Sequence, residues 1–178
     1  FLDHLERNGE LARIRVPVNP DQEMTVIQHR VIARGGPALL FENVVCSNHR
    51  VVSNLFGTRQ RTNLAFGGDP ALLGERVFRL SRNLMPPGLR GIFRSRRDLM
   101  ALSSARMRSV RHGPVLETVQ TAPDLNRLPV LTCWPEDGGP FFTLPLVHTT
   151  DPENGTGHLG MYRLQRFGPA KTGMHWQI

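Results

Sequence analysis

Residues 157–167 read GHLGMYRLQRF, and residues 172–178 read TGMHWQI. If the first stretch is one strand, its two-residue period puts His158, Gly160, Tyr162 and Leu164 on one side and Leu159, Met161, Arg163 and Gln165 on the other. Gly160 weakens the packing of such a strand and marks a bulge or the close approach of a ligand. An arginine sharing a face with Leu159 and Met161 has two readings: it snorkels from a core strand, or it meets an anion. In the second stretch His175, Trp176 and Gln177 add hydrogen-bonding groups and an aromatic plane on a neighbouring strand. Singly each residue has an ordinary structural use. Together they resemble one wall of a pocket for a flat, phosphorylated molecule.

Working outward, PVLETVQ (114–120) and FFTLPLVHTT (141–150) also read as strands, and Asn154-Gly155 is a tight-turn signal. The part from residue 112 onward is therefore expected to be β-rich. Between these strands LPVLTCWPEDGGPFF (128–142) restricts the backbone at Pro129, Pro135 and Pro140 and releases it at Gly138-Gly139, around Trp134, Glu136 and Asp137. That loop is either a rigid crossover with solvated carboxylates or a shaped wall beside a ligand.

The first half has a different texture. Phe1, Leu2 and Leu5 predict a short helix stopped at Gly9, and Leu11 to Val18 a strand. Asn19 can cap a helix with Pro20 at its first position, Met24, Ile27, Val31 and Ile32 on its apolar side and Gly35-Gly36 at its end. PALLFENV and RVVSNLFG predict two strands, and Asp69-Pro70 starts a second long helix that Pro86-Pro87 ends. Such alternation belongs to an α/β or α+β unit. Residues 88–111 hold seven arginines from Arg90 to Arg111 against the single acid Asp98, and read as a connector. The expected organisation is an N-terminal α/β domain over 1–111, connector included, and an incomplete β-domain over 112–178.

Hydrophobic content of 39% with 21% charged residues fits a globular protein and excludes a disordered one. No run approaches the ~18–20 apolar residues of a membrane span, so a cytoplasmic protein is expected. Cys46 and Cys133 form no CxxC pair and indicate neither a disulfide framework nor a zinc site. The net charge of +7 invites a nucleic-acid reading, but no aromatic RNA-binding motif, zinc finger or helix-turn-helix signature accompanies it. His4, His29, His49, His112 and His148 lack metal-ligand spacing, and there is no P-loop, GxGxxG, GxSxG or HExxH. Phe1 lies inside an amphipathic pattern and Ile178 inside a β-type run, which suggests a piece of a longer chain.

The segments FLDHLERNGELARI, GGPALLFENV, NLFGT, LPVLTCWPEDGGPF, HLGMYRLQ and TGMHWQI resemble, in order and wording, the UbiD-like decarboxylases, whose quinone-pathway members act on 4-hydroxy-3-polyprenylbenzoate. The resemblance runs from Phe1 to Ile178 and is weakest over 88–112. It implies an α+β chain in which an α/β domain precedes a split β-barrel like that of flavin reductases. It also implies prenylated FMN made by a partner flavin prenyltransferase, a divalent metal (manganese), potassium in some members, and a homo-oligomer. The reaction implied is reversible, non-oxidative decarboxylation of an aromatic or α,β-unsaturated acid, with 3-polyprenyl-4-hydroxybenzoate in ubiquinone biosynthesis as one substrate. A polyprenylated substrate would place the protein at the membrane periphery.

By the same resemblance Met161, Tyr162 and Arg163 line the cofactor, Arg163 is the catalytic arginine, and His175, Trp176 and Gln177 form a second cofactor segment. His158 stands where the family commonly has a metal-ligating asparagine. Imidazole nitrogen suits softer metals better than manganese, which sets His158 apart as a ligand. The family's acidic residues fall beyond the equivalent of Ile178, so residues 1–178 alone are expected to be inactive. Two other classes remain open at this point: a non-catalytic flavin-binding or assembly module, and a basic nucleic-acid-binding protein.

Overall fold

The computed structural model describes residues 1–85, 88–103 and 110–175. It divides into two compact units, one built from Phe1–Thr58 with the segment from Thr121 onward, the other from Arg59–Gln120.

In the first unit helix α1 (Leu2–Arg7) ends before Gly9, whose φ of 70° suits glycine, and strand β1 (Leu11–Ile14) follows. Strand β1 stops short of the expected Val18. Pro17 cannot donate to a ladder, Val16 is exposed, and Val18 rejoins by a single bridge to Val44. Helix α2 (Glu23–Ala33) also begins later than Asn19-Pro20 suggests. Asn19 does cap a turn, its Oδ1 accepting the Asp21 N–H at 2.9 Å while the Glu23 carboxylate accepts the Asn19 N–H at 2.8 Å. Asp21 then bridges Thr132, and the Gln22 N–H donates to the Thr132 carbonyl at 2.8 Å, so tertiary pairing takes the residues that would otherwise have started the helix.

Strand β2 (Ala38–Phe41) is buried at all four positions, as a run of ALLF in a central strand should be. It pairs in parallel with β1 and antiparallel with β3 (Val51–Ser53). Val18, Met24, Leu39, Phe41 and Val44 form the core beneath it, with Ile27 and Val31 of α2 packed against them. Ile32, expected on the same side, is exposed.

The second unit contains helices α3 (Arg59–Phe66), α4 (Pro70–Leu84), α5 (Leu89–Arg94) and α6 (Arg96–Ser103). Helix α4 starts as expected: the Asp69 carboxylate accepts the Ala71 N–H at 3.0 Å and an Arg59 N–H at 2.6 Å, which together lower its pKa. The arginine-rich stretch is helical in α5 and α6, arginine being a good helix former, and Arg96 lies 4.6 Å over the Phe93 ring. Arg106 and Arg108 lie outside the described residues. The strand expected over 114–120 is absent: Pro114 opens a short 3-10 turn, and Val115 and Val119 stay exposed without a pairing partner.

Returning to the first unit, the chain adds strands β4 (Phe141–Phe142), β5 (Leu146–Thr150), β6 (Gly157–Met161), β7 (Leu164–Arg166) and β8 (Thr172–Met174). Strands β5 and β6 form one antiparallel pair, closed by a turn in which Gly155 has φ 73°. Strands β4, β7 and β8 form another sheet, with β7 central. GHLGMYRLQRF is therefore two strands in two sheets. The architecture is mixed α+β, as expected.

One ion cluster ties the first elements together. Arg13 on β1 donates to Glu6 of α1 at 2.6 Å and to Glu42, just past β2, at 2.6 Å. These hydrogen bonds hold both carboxyls below their ordinary value of 4.5 and hold the guanidinium proton more tightly. Carboxyls lowered in the folded state stabilise it above the unfolded value and lose that contribution as pH falls through the lowered values. Urea midpoints measured from pH 7 downward should therefore fall below about pH 4.5, and Arg13→Gln should flatten that fall; an identical pH profile in the variant would contradict the linkage.

Candidate functional site

The site grows out of the loop between Leu131 and Phe141. The Phe141 N–H donates to the Leu131 carbonyl at 2.8 Å, which closes the loop at its base. Inside it the Asp137 Oδ2 accepts the N–H groups of Cys133 at 3.3 Å and Trp134 at 3.2 Å. Gly139 turns the chain at φ 141°, and Gln165 of β7 donates from Nε2 to the Gly138 carbonyl at 2.5 Å. Asp137 is not a solvated carboxylate, its side chain being only 11% exposed, whereas Glu136 and Trp134 face solvent.

Across from this loop the chain passes from one sheet to the other. Met161 is the last residue of β6 and Leu164 the first of β7, so Tyr162 and Arg163 belong to neither strand. Freed from strict alternation, Met161, Tyr162 and Arg163 all border one cleft of about 900 Å³, together with Phe141, Met174 and His175. That volume lies in the ~300–1,000 Å³ range of small-molecule sites. The Arg163 guanidinium carbon sits 3.8 Å from the centroid of the Phe141 ring, and its Nη2 lies 3.8 Å from Asp137 Oδ1. The arginine side chain remains 54% exposed, so it is held on one side and open on the other. It is neither a core-strand arginine nor a freely solvated one.

His158 and Tyr162 do come together, as the sequence reading of one side expected, although Tyr162 lies just past β6: His158 Nε2 lies 2.9 Å from the Tyr162 hydroxyl. Gly160 sits between them, where a Cβ would press on the Tyr162 ring and come within 2.9 Å of His158 Nε2. Glycine there permits the close packing that positions the tyrosine. Gly173 plays a similar part on β8, where a Cβ would meet the Phe167 ring.

Of the residues singled out by sequence, Met161, Tyr162, Arg163 and His175 come together at the cleft. His158 meets it through Tyr162, and Trp176 and Gln177 lie outside the described residues. Phe141, Gln165 and Met174 also border the cleft; each lies inside one of the quoted segments, but the sequence gives none of them a role there. Their part became visible only once β4, β7 and β8 were paired.

The cleft's composition fits a planar anionic group: thioethers and aromatic rings to cover flat faces, and one guanidinium for a phosphate or carboxylate. A metal ion fares differently. Among the described residues no group of three His, Cys, Asp or Glu side chains could hold one, and the Nε2 of His158 is already hydrogen-bonded to Tyr162. These residues do not make a metal site by themselves.

Two sequence models of the same family match the chain: the 3-octaprenyl-4-hydroxybenzoate carboxy-lyase N-terminal domain over residues 2–81 and the Rift-related domain of that enzyme over residues 106–178. An uncharacterized protein of Chlamydia trachomatis serovar D is 46% identical across 100% of this chain and 31% of its own length. A protein of Chlamydia pneumoniae named as one of the subunits of a 4-hydroxybenzoate decarboxylase is 42% identical across 95% of this chain and 29% of its own. The chain thus spans under a third of these relatives. Among solved structures, an evolved dimeric form of the UbiD-class enzyme HmfF from Pelotomaculum thermopropionicum, in complex with prFMN, superposes with a TM-score of 0.74 at 27% identity, over 99% of this chain and 37% of that one. With both family models matched in chain order, the second of them spanning the sheet crossover that carries Arg163, the chain belongs to the UbiD family of carboxy-lyases.

Proposed function

We propose that this chain supplies the arginine-bearing wall of a prenylated-FMN site in a non-oxidative decarboxylase of aromatic or α,β-unsaturated acids. The observation that carries the reading is the convergence of Met161, Tyr162, Arg163 and His175 on one cleft, at the point where the chain changes sheets. The HmfF complex with prFMN supports the cofactor, and the relative named for 4-hydroxybenzoate decarboxylase supports a hydroxylated aromatic acid as substrate. The family's 3-octaprenyl-4-hydroxybenzoate description extends that class to the polyprenylated acid of ubiquinone biosynthesis. We also propose that the whole protein works as a homo-oligomer supplied by a flavin prenyltransferase, and that an N-terminal domain over 1–111 is followed by the cofactor-binding domain from residue 112. We further propose that a polyprenylated substrate would be met at the membrane periphery; among the described residues no helix is long and apolar enough to cross a membrane.

Bound prenylated FMN supplies an electron-accepting ring system against which carbon dioxide can leave. The chain's own part is position and charge. Met161, Tyr162 and Met174 offer apolar and aromatic faces to a ring. Arg163 offers a planar fork of N–H donors that pairs with a carboxylate through two parallel bonds, which a lysine could not reproduce. His175, just past the end of β8, adds a polar group to the lining of the cleft. No step is assigned to manganese or potassium; among the described residues no three His, Cys, Asp or Glu side chains gather to hold a metal ion.

Among the described residues no carboxylic acid borders the cleft, and we propose that the acid that protonates the product comes from elsewhere in the full-length protein. Residues 1–178 alone, supplied with prenylated FMN, should release no carbon dioxide from 4-hydroxybenzoate, whereas the full-length protein should; turnover by the shorter chain would refute this division of labour. In the full-length protein co-produced with a flavin prenyltransferase, Arg163→Ala should lower turnover per bound flavin by about 100-fold or more. Unchanged turnover would remove Arg163 from the mechanism.

A further inference from the structure

Arg163 is a long side chain in a segment that belongs to no strand, and it must nevertheless present its donors in one direction. Left to itself it would sample many rotamers, and each productive encounter would carry that ordering cost. The structure supplies two restraints. Phe141 packs 3.8 Å beneath the guanidinium, and Asp137 places Oδ1 3.8 Å from Nη2. The Phe141 contact fixes the plane of the fork without choosing its rotation. The charged restraint at one edge does choose it.

Asp137 is itself immobilised before it meets the arginine. Its Oδ2 is occupied by the Cys133 and Trp134 N–H groups, and its side chain is almost fully covered. The residue that follows it is tied to β7 through the Gln165 bond to the Gly138 carbonyl. A carboxylate whose one oxygen is bound to its own loop leaves only the other to face the guanidinium. Arg163 is thus clamped at one edge and open to the cleft at the other, while β7, the strand that anchors the loop, begins at the very next residue.

We infer that Asp137 is the positioning residue for Arg163, setting which edge of the guanidinium meets an anionic group in the cleft. This rests on the reading of Arg163 given under Proposed function. Glu136, next in the chain, is exposed and takes no part.

The test is a double-mutant cycle in the full-length protein loaded with prenylated FMN, using Asp137→Asn, Arg163→Ala and the pair. Asparagine can still accept the Cys133 and Trp134 N–H groups, so the loop keeps its closure while the charge facing Arg163 is lost. Asp137→Asn should lower kcat/KM by about tenfold and weaken 4-hydroxybenzoate binding to the same variant by a similar factor, read by quenching or shift of the flavin spectrum. In the Arg163→Ala background the same substitution should change neither quantity by more than about twofold. An equal loss in both backgrounds would show that Asp137 acts on the fold alone and would overturn the inference, as would an Asp137→Asn variant with unchanged binding and turnover. Failure of the Arg163 reading has a different signature, since Arg163→Ala by itself would then be silent.

Discussion

Everything at the cleft depends on the chain leaving one sheet after Met161 and entering another at Leu164. In a continuous strand Tyr162 and Arg163 would point to opposite faces. Released from both ladders for two residues, they border the same space with Met161. The handover is held from both ends: β6 is fixed over its whole length by β5, and β7 is the central strand of its sheet, paired to β4 and β8. Two rigid ladders thus deliver an irregular two-residue joint to one place, which is how a long cationic side chain can be both free enough to bind and located well enough to be useful.

The same chain handles its arginines in contrasting ways. Arg13 is spent on architecture: both ends of its guanidinium are taken by Glu6 and Glu42, and it joins a helix, an edge strand and the turn after the central strand. Arg163 has one partner at a longer distance and an aromatic ring beneath it, and over half of its side chain is exposed. A guanidinium bound by carboxylates at all three nitrogens has little left to offer a ligand; one held by a single edge has more. The many arginines behind the net charge of +7 therefore do not share one environment, and Arg90, Arg94, Arg96 and Arg97 lie exposed on the short helices α5 and α6.

What the sequence shows of this arrangement follows from range. Local signals were legible: the Asp69 cap with Pro70, glycine after α1 and α2, the Asn154-Gly155 turn, and the buried ALLF strand each rest on neighbours within a few residues. The failures share a cause in distant partners. Thr132 takes the N–H of Gln22 and delays α2, and the Val115 and Val119 alternation forms no strand because among the described residues no edge pairs with it. The break in GHLGMYRLQRF could not be read from its own pattern, since the alternation runs straight through it. His158 with Tyr162 was readable as a shared face, but the cradle of Asp137 and Phe141 around Arg163 joins residues more than twenty positions apart, and no periodicity links them. The family resemblance identified the arginine; the fold shows what holds it.

The most direct measurement is a crystal structure of the full-length protein isolated with prenylated FMN. The account predicts density for the flavin ring system in the cleft bordered by Met161, Tyr162 and Met174, with Arg163 at its edge and Asp137 still facing the guanidinium from the far side. Flavin bound at another site, with this cleft filled by protein side chains and Arg163 turned away from it, would contradict the account.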